Sequence, residues 1–127
     1  MKAILVGAFV LLPAIASAGN LLDLGTTDEG HQLIIDVATA RKSGGSLIRI
    51  WGLENLLTPN AGGAQSIRRH VQVDCASSQF RRLQEMQFSE PNGKGQRLPD
   101  DGRPDTVWNT ATAGSAYDQL VKRVCKL

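Results

Sequence analysis

The sequence predicts a single α+β domain, an antiparallel sheet of about five to six strands with one helix at the C-terminus. Three observations predict it. Apolar residues recur with period two between Gln32 and Phe88, the spacing of a half-buried strand. Clusters of Gly, Pro, Asn and Ser separate these runs, and such residues supply the backbone angles of tight turns. After Gly114 the apolar period lengthens to that of a helix. At 127 residues the chain has length for one core.

The first eighteen residues lie outside that domain. Met1 and Lys2 form a basic start, Ala3 to Leu12 is apolar, and Pro13 precedes the small residues Ala16, Ser17 and Ala18. This is the order of a secretory signal, and cleavage is expected between Ala18 and Gly19. The apolar stretch is shorter than the ~20 residues a spanning helix needs, so no transmembrane segment is expected in the mature chain. No cysteine stands at the new N-terminus to accept a lipid. The expected location is periplasmic or secreted, with a soluble mature chain.

Gln32 to Thr39 opens the sheet, with Leu33, Ile35 and Val37 on one face and Ile34, Asp36 and Ala38 on the other. Lys42, Ser43, Gly44 and Gly45 are turn residues, and Ser46 to Trp51 returns. Glu54 to Gln65, containing Thr58-Pro59-Asn60 and Gly62-Gly63, is expected as a long loop where binding is tolerated. Ser66 to Cys75 alternates: Ile67, Val71, Val73 and Cys75 point one way, Arg68, His70, Gln72 and Asp74 the other. A turn at Ala76-Ser77-Ser78 leads to Gln79 to Phe88, where Leu83 breaks the parity of Phe80, Met86 and Phe88 and predicts a bulge near Arg82. Pro91 to Gly95 is a turn, Gln96 to Leu98 a short strand, Pro99 to Asp105 a loop, and Val107-Trp108 a brief strand or edge plug. Ser115 and Asp118 form a weak capping pattern, and Tyr117, Leu120, Val121 and Val124 make one apolar helical stripe.

Two cysteines in an oxidising compartment, Cys75 and Cys125, are most economically one disulfide. A redox pair or a metal site is the rival reading. It lacks the C-x-x-C spacing, and only His31 and His70 could join as ligands.

These residues carry a resemblance. Ile34-Ile35-Asp36 before a basic, glycine-containing turn, Ile48-Arg49-Ile50-Trp51, Val73-Asp74-Cys75-Ala76, Phe80-Arg81-Arg82-Leu83, Trp108, and the ending from Gly114-Ser115 to Val124-Cys125 together resemble the surface-adhesin protein E family of small secreted bacterial proteins. The match runs from Asn20 to Cys125. It implies a curved antiparallel sheet on a C-terminal helix, one intramolecular disulfide, no enzymatic activity, and adhesion to host matrix proteins such as vitronectin and laminin. Leu21-Leu22 stands where the family often has tryptophan.

A net charge of +2 is too small for a general nucleic-acid binder or an acidic solubiliser, both of which need a sustained field of one sign. His70 and Asp74 share a strand face but sit ~13 Å apart along it, too far to bond as an acid-base pair. Asp100, Asp101 and Asp105 lack the spacing of a calcium loop. No metal site and no cofactor is expected. Arg68, Arg81 and Arg82 are the candidate anion or partner-binding residues, with Arg69 and His70 beside them, because forked guanidinium donors recognise carboxylates and sulfates. The alternative is pairing with Asp74 and Glu85. Trp51 and Trp108 are expected to fill the core, the alternative being that they serve as stacking platforms. The expected function is a non-enzymatic binding or envelope-associated module whose partner is an acidic protein or glycan. The alternatives are a small periplasmic hydrolase dependent on His70, or an inhibitor or accessory of an envelope enzyme.

Overall fold

The computed structural model describes residues 20–99 and 103–127. The expected leader with its Ala18/Gly19 junction lies outside the described residues, as do Asp100 and Asp101. Six strands follow in chain order: β1 (Leu21–Thr26), β2 (Gln32–Gly44), β3 (Leu47–Asn55), β4 (Ser66–Asp74), β5 (Gln79–Phe88) and β6 (Arg97–Leu98), then helix α1 (Ala116–Val124). The strands form one open sheet in the order β1-β2-β3-β4-β5-β6, and every neighbouring pair is antiparallel. No described helix is long and apolar enough to cross a membrane.

The helix covers one face of the sheet. Leu33, Ile35, Ile50, Val71, Val73 and Phe80 pack there against Ala116, Tyr117, Leu120, Val121 and Val124, so the period-two and period-3.6 stripes meet. The Phe80 and Tyr117 rings stack with centroids 4.5 Å apart. Ser115 caps the helix by accepting from the Asp118 N–H, while Asp118 accepts from the Gly114 N–H at 2.9 Å. Cys125, at the helix end, bonds Cys75 just after β4 across 5.6 Å between Cα atoms. The rival reading of these cysteines as metal ligands gives way to the disulfide.

Two bulges decide which side chains face the helix. In β2, Asp36 pairs with Trp51 and Arg41 with Arg49, so the four residues between Asp36 and Arg41 oppose Ile50 alone. Thr39 fills the gap in the ladder, its hydroxyl donating to the Asp36 carbonyl and accepting from the Trp51 N–H. In β5, Leu83 is the extra residue: His70 pairs with Gln84 and Val71 with Arg82, one position from the expected site. The odd shift puts Phe80 and Arg82 on the helix face and Met86 and Phe88 on the opposite one, since alternation reverses across a one-residue bulge.

Several expected boundaries move. Residues Lys42 to Gly44 belong to β2, and the reversal is made at Gly45 and Ser46, where Gly45 takes φ +56°. β3 runs on through Glu54, so the loop begins only at Leu56. That loop is ordered by its own bonds, with the Asn60 side chain accepting from Gly62 and Ala64 and donating to Gln87. The sheet edge is bridged by Asn109 to Phe80, one residue beyond the expected Val107-Trp108.

Candidate functional site

Beneath the helix the apolar face is interrupted by a polar cluster. Glu54 is 3% exposed and aligned in β3 with Ile50 and Gly52. Its Oε2 accepts from Arg69 Nε at 2.6 Å and from the Tyr117 hydroxyl at 2.5 Å, and its Oε1 lies 3.2 Å from His31 Nδ1. Arg69 also donates to Glu85 at 2.9 Å. Burial pushes the Glu54 carboxyl up, but the Arg69 charge and the bonds from Tyr117, His31 and Arg69 outweigh it and hold the group below the usual carboxylate range. Burial and the Glu54 charge push the Tyr117 phenol well above its usual value. The Tyr117 bond to Glu54 makes this cluster a tie between helix and sheet.

Sequence reasoning placed Arg69 with a surface patch and Glu54 in a loop. Arg69 nevertheless shares the parity of Ile67, Val71 and Val73, and a charge on the apolar side of a strand signals a buried pair. Its partner depends on the register Gly52↔Arg69, which alternation alone does not supply.

The face away from the helix carries the other polar and aromatic residues. Trp51 is a cross-strand partner of His70, and the rings stack at 4.4 Å and 8°. The Arg68 guanidinium lies over Trp51, 5.1 Å from its centroid, and that of Arg81 over Trp108 at 4.5 Å. Both tryptophans are half-buried and stand outside the core cluster, contrary to the expectation that they fill it. With Tyr117 and Phe80 filling the core, the indoles serve as platforms for arginine. Burial and the charge of Arg49 lower the pKa of His70. Its partner Asp74 in the rejected acid-base pairing is engaged elsewhere, accepting from Ser46 Oγ at 2.6 Å and the Ala76 N–H.

A groove of about 400 Å³ opens on this face. Leu21, Ile34, Trp51, Leu53 and Phe88 give it apolar walls, and Asp36, Arg68 and Lys94 give it charge. A smaller cleft of about 190 Å³ near the start of α1 is lined by Asp28, Glu29, Arg82 and Tyr117 among others.

The three candidate arginines do not form one face. Arg68 and Arg81 are on the open side, four residues apart in register along β4, which is ~13 Å. Arg82 is turned the other way by the Leu83 bulge and pairs with Asp105, Nε to Oδ2 at 2.9 Å, while its own N–H donates to the same carboxylate. Of the alternative pairings, Glu85 is taken by Arg69 and Asp74 by Ser46. Among the described residues no cluster of three or more His, Cys, Asp or Glu is arranged to hold a metal.

Comparison with known proteins follows the fold. A solved structure of Haemophilus influenzae protein E superposes with a TM-score of 0.62 at 16% identity, covering 84% of each chain. Its selenomethionine form gives 0.60 at 14% identity, over 82% of this chain and 85% of that one. Protein E from non-typeable Haemophilus influenzae gives 0.60 at 16%, over 84% of this chain and 76% of that one. No curated protein matches the sequence significantly. These likenesses concern the fold, whereas the sequence itself matches the surface-adhesin protein E family over residues 22–126, and the chain therefore belongs to that family.

Proposed function

We propose that this member of an adhesin family is a secreted or periplasmic, non-enzymatic binding module that presents the helix-free face of its sheet to an acidic partner. The observation that carries the reading is the groove bounded by Trp51 and Arg68. An apolar cleft with a few convergent polar groups is the usual form of a binding site. Arg68 has no ion-pair partner among the described residues, and its contact with Trp51 holds the fork with little freedom left to lose. The partner that complements this surface is an acidic protein segment with an aliphatic or aromatic anchor. Host matrix proteins are candidates through family membership.

The test is binding of the oxidised chain to immobilised vitronectin and laminin at low and physiological salt. Arg68→Glu is expected to weaken binding at least tenfold, and binding of the unaltered chain to fall with salt as screening shortens to about 8 Å. Binding that ignores both salt and Arg68 removes this face from the reading. The hydrolase alternative requires an activity that His70→Gln abolishes.

A further inference from the structure

Strand register assembles a second cationic feature on the open face, outside the groove. Arg41 is the cross-strand partner of Arg49, Arg49 of Gln72, and Gln72 of Arg81. Three arginines therefore stand in one row from β2 to β5. Strands lie ~4.8 Å apart, so the steps are ~5 Å and ~10 Å at the backbone. Like charges directly opposite on neighbouring strands destabilise a sheet, and no carboxylate pairs with any of the three among the described residues. Asp74, next to Gln72 on this face, is engaged by Ser46 and the Ala76 N–H.

The row is also preset. Gln72 is 2% exposed although it belongs to the face away from the helix. Its Oε1 accepts from Arg81 Nε at 2.9 Å and its Nε2 donates to Ser43, while Trp108 supports the Arg81 guanidinium from one side. Among the described residues only Nε of Arg81 is used, so both terminal nitrogens remain for an anion. Arg41 is steadied by donating from Nη1 to the carbonyls of Ala38 and Ala40. Arg49 is exposed, and among the described residues its side chain makes no hydrogen bond.

We propose that the row Arg41, Arg49, Arg81 binds a linear sulfated polysaccharide laid across the strands, each guanidinium taking a sulfate or carboxylate through its fork. A linear array of separated cations suits anionic groups spaced along an extended chain. A lipid surface or a duplex would draw on total charge, and +2 for the whole chain offers little. This assignment deepens the binding reading above and rests on it, but it uses neither Arg68 nor Lys94.

Heparin hexasaccharide is the probe, titrated into the oxidised chain at two salt concentrations. The unaltered chain is expected to bind, and Arg49→Gln to weaken binding roughly tenfold, as loss of one charge-assisted contact does. Adding Arg81→Gln should abolish binding at physiological salt and flatten the salt dependence. Arg123→Gln with Lys126→Gln, at the helix end, should leave it unchanged. The Arg49 side chain has no hydrogen bond to lose among the described residues, so its replacement leaves the fold intact. No binding by the unaltered chain, equal binding by the row variants, or an equal loss in the helix-end variant overturns the proposal. So does a result in which phosphatidylglycerol vesicles bind with the same arginine dependence and heparin does not. If heparin fails while matrix-protein binding still depends on Arg68, the row is dismissed and the groove stands.

Discussion

Glu54 sits where its charge is most costly, and its neighbours are arranged to offset that cost. Removing one member of a buried ion pair strands the other, so Glu54→Gln is expected to destabilise the fold by about 3–5 kcal/mol. Tyr117→Phe removes one bond to a charged group and should cost about 1.5–3 kcal/mol, because Arg69 and His31 still face the carboxylate. Urea denaturation of both variants gives the order, and a larger loss in Tyr117→Phe would contradict it. The sign with pH follows from the lowered carboxyl. The unfolded chain takes up the proton at a higher pH than the folded one. Stability is therefore fully present above the ordinary carboxylate value near 4 and is lost as pH falls through the lower folded value. In Glu54→Gln that part of the acid limb should be missing. His70 has a lowered pKa as well. For a base this means stability is complete above its ordinary value near 6.5 and declines as pH falls towards the folded value. Protonation also sets a cation against Trp51, so Trp51 emission in a Trp108→Phe background should drop as pH falls through the lower folded value, and His70→Gln should remove the drop. Arg69 was legible in principle as a charge at apolar parity, although the sequence reading set it with the surface arginines. Arg41 was not, since simple alternation from Leu33 and Ile35 assigns it to the helix face and only the bulge opposite Ile50 turns it outward.

At the level of elements, the helix was the most legible part of the chain. Tyr117, Leu120, Val121 and Val124 are all buried, as their spacing requires. Strands β2 to β6 were equally clear, but β1 was not anticipated, because Leu21-Leu22-Asp23-Leu24 is too short and irregular a run to show a period of two. Strand ends were not clear, because β2 is carried past its bulge by Thr39, whose hydroxyl takes part in the ladder, and no period-two pattern announces that. The helix is held by its cap, its stripe, the Glu54 bond and the disulfide. Ser115→Ala should cost about 1 kcal/mol. Cys125→Ser should cost roughly 2–5 kcal/mol, the usual loss for a small domain's disulfide, and hydrogen exchange should then show α1 opening before β3 and β4. Uniform loosening of the sheet with the helix still protected would show that the bond does not pin it.

For the whole molecule, the expected covalent form is a chain beginning at Gly19 with Cys75 and Cys125 joined, and intact mass of exported material checks it. A start elsewhere, or a mass gain equal to lipid, contradicts it. The candidate site was less legible than the fold because it is made by register. Arg81 was singled out from sequence, but its companions in the row come from strands whose alignment depends on two bulges, and Arg82 was turned to the helix side by one of them. The strand order has a kinetic consequence. Since each strand pairs with the one before it in the chain, nearly all the sheet can assemble by successive hairpins, each closing a short loop as the N-terminal portion becomes available. The layer that shields Glu54 and Arg69 comes from the last residues. Until Tyr117 arrives the growing sheet exposes an apolar face with an ion pair in its middle, which disfavours the association of half-made sheets with one another.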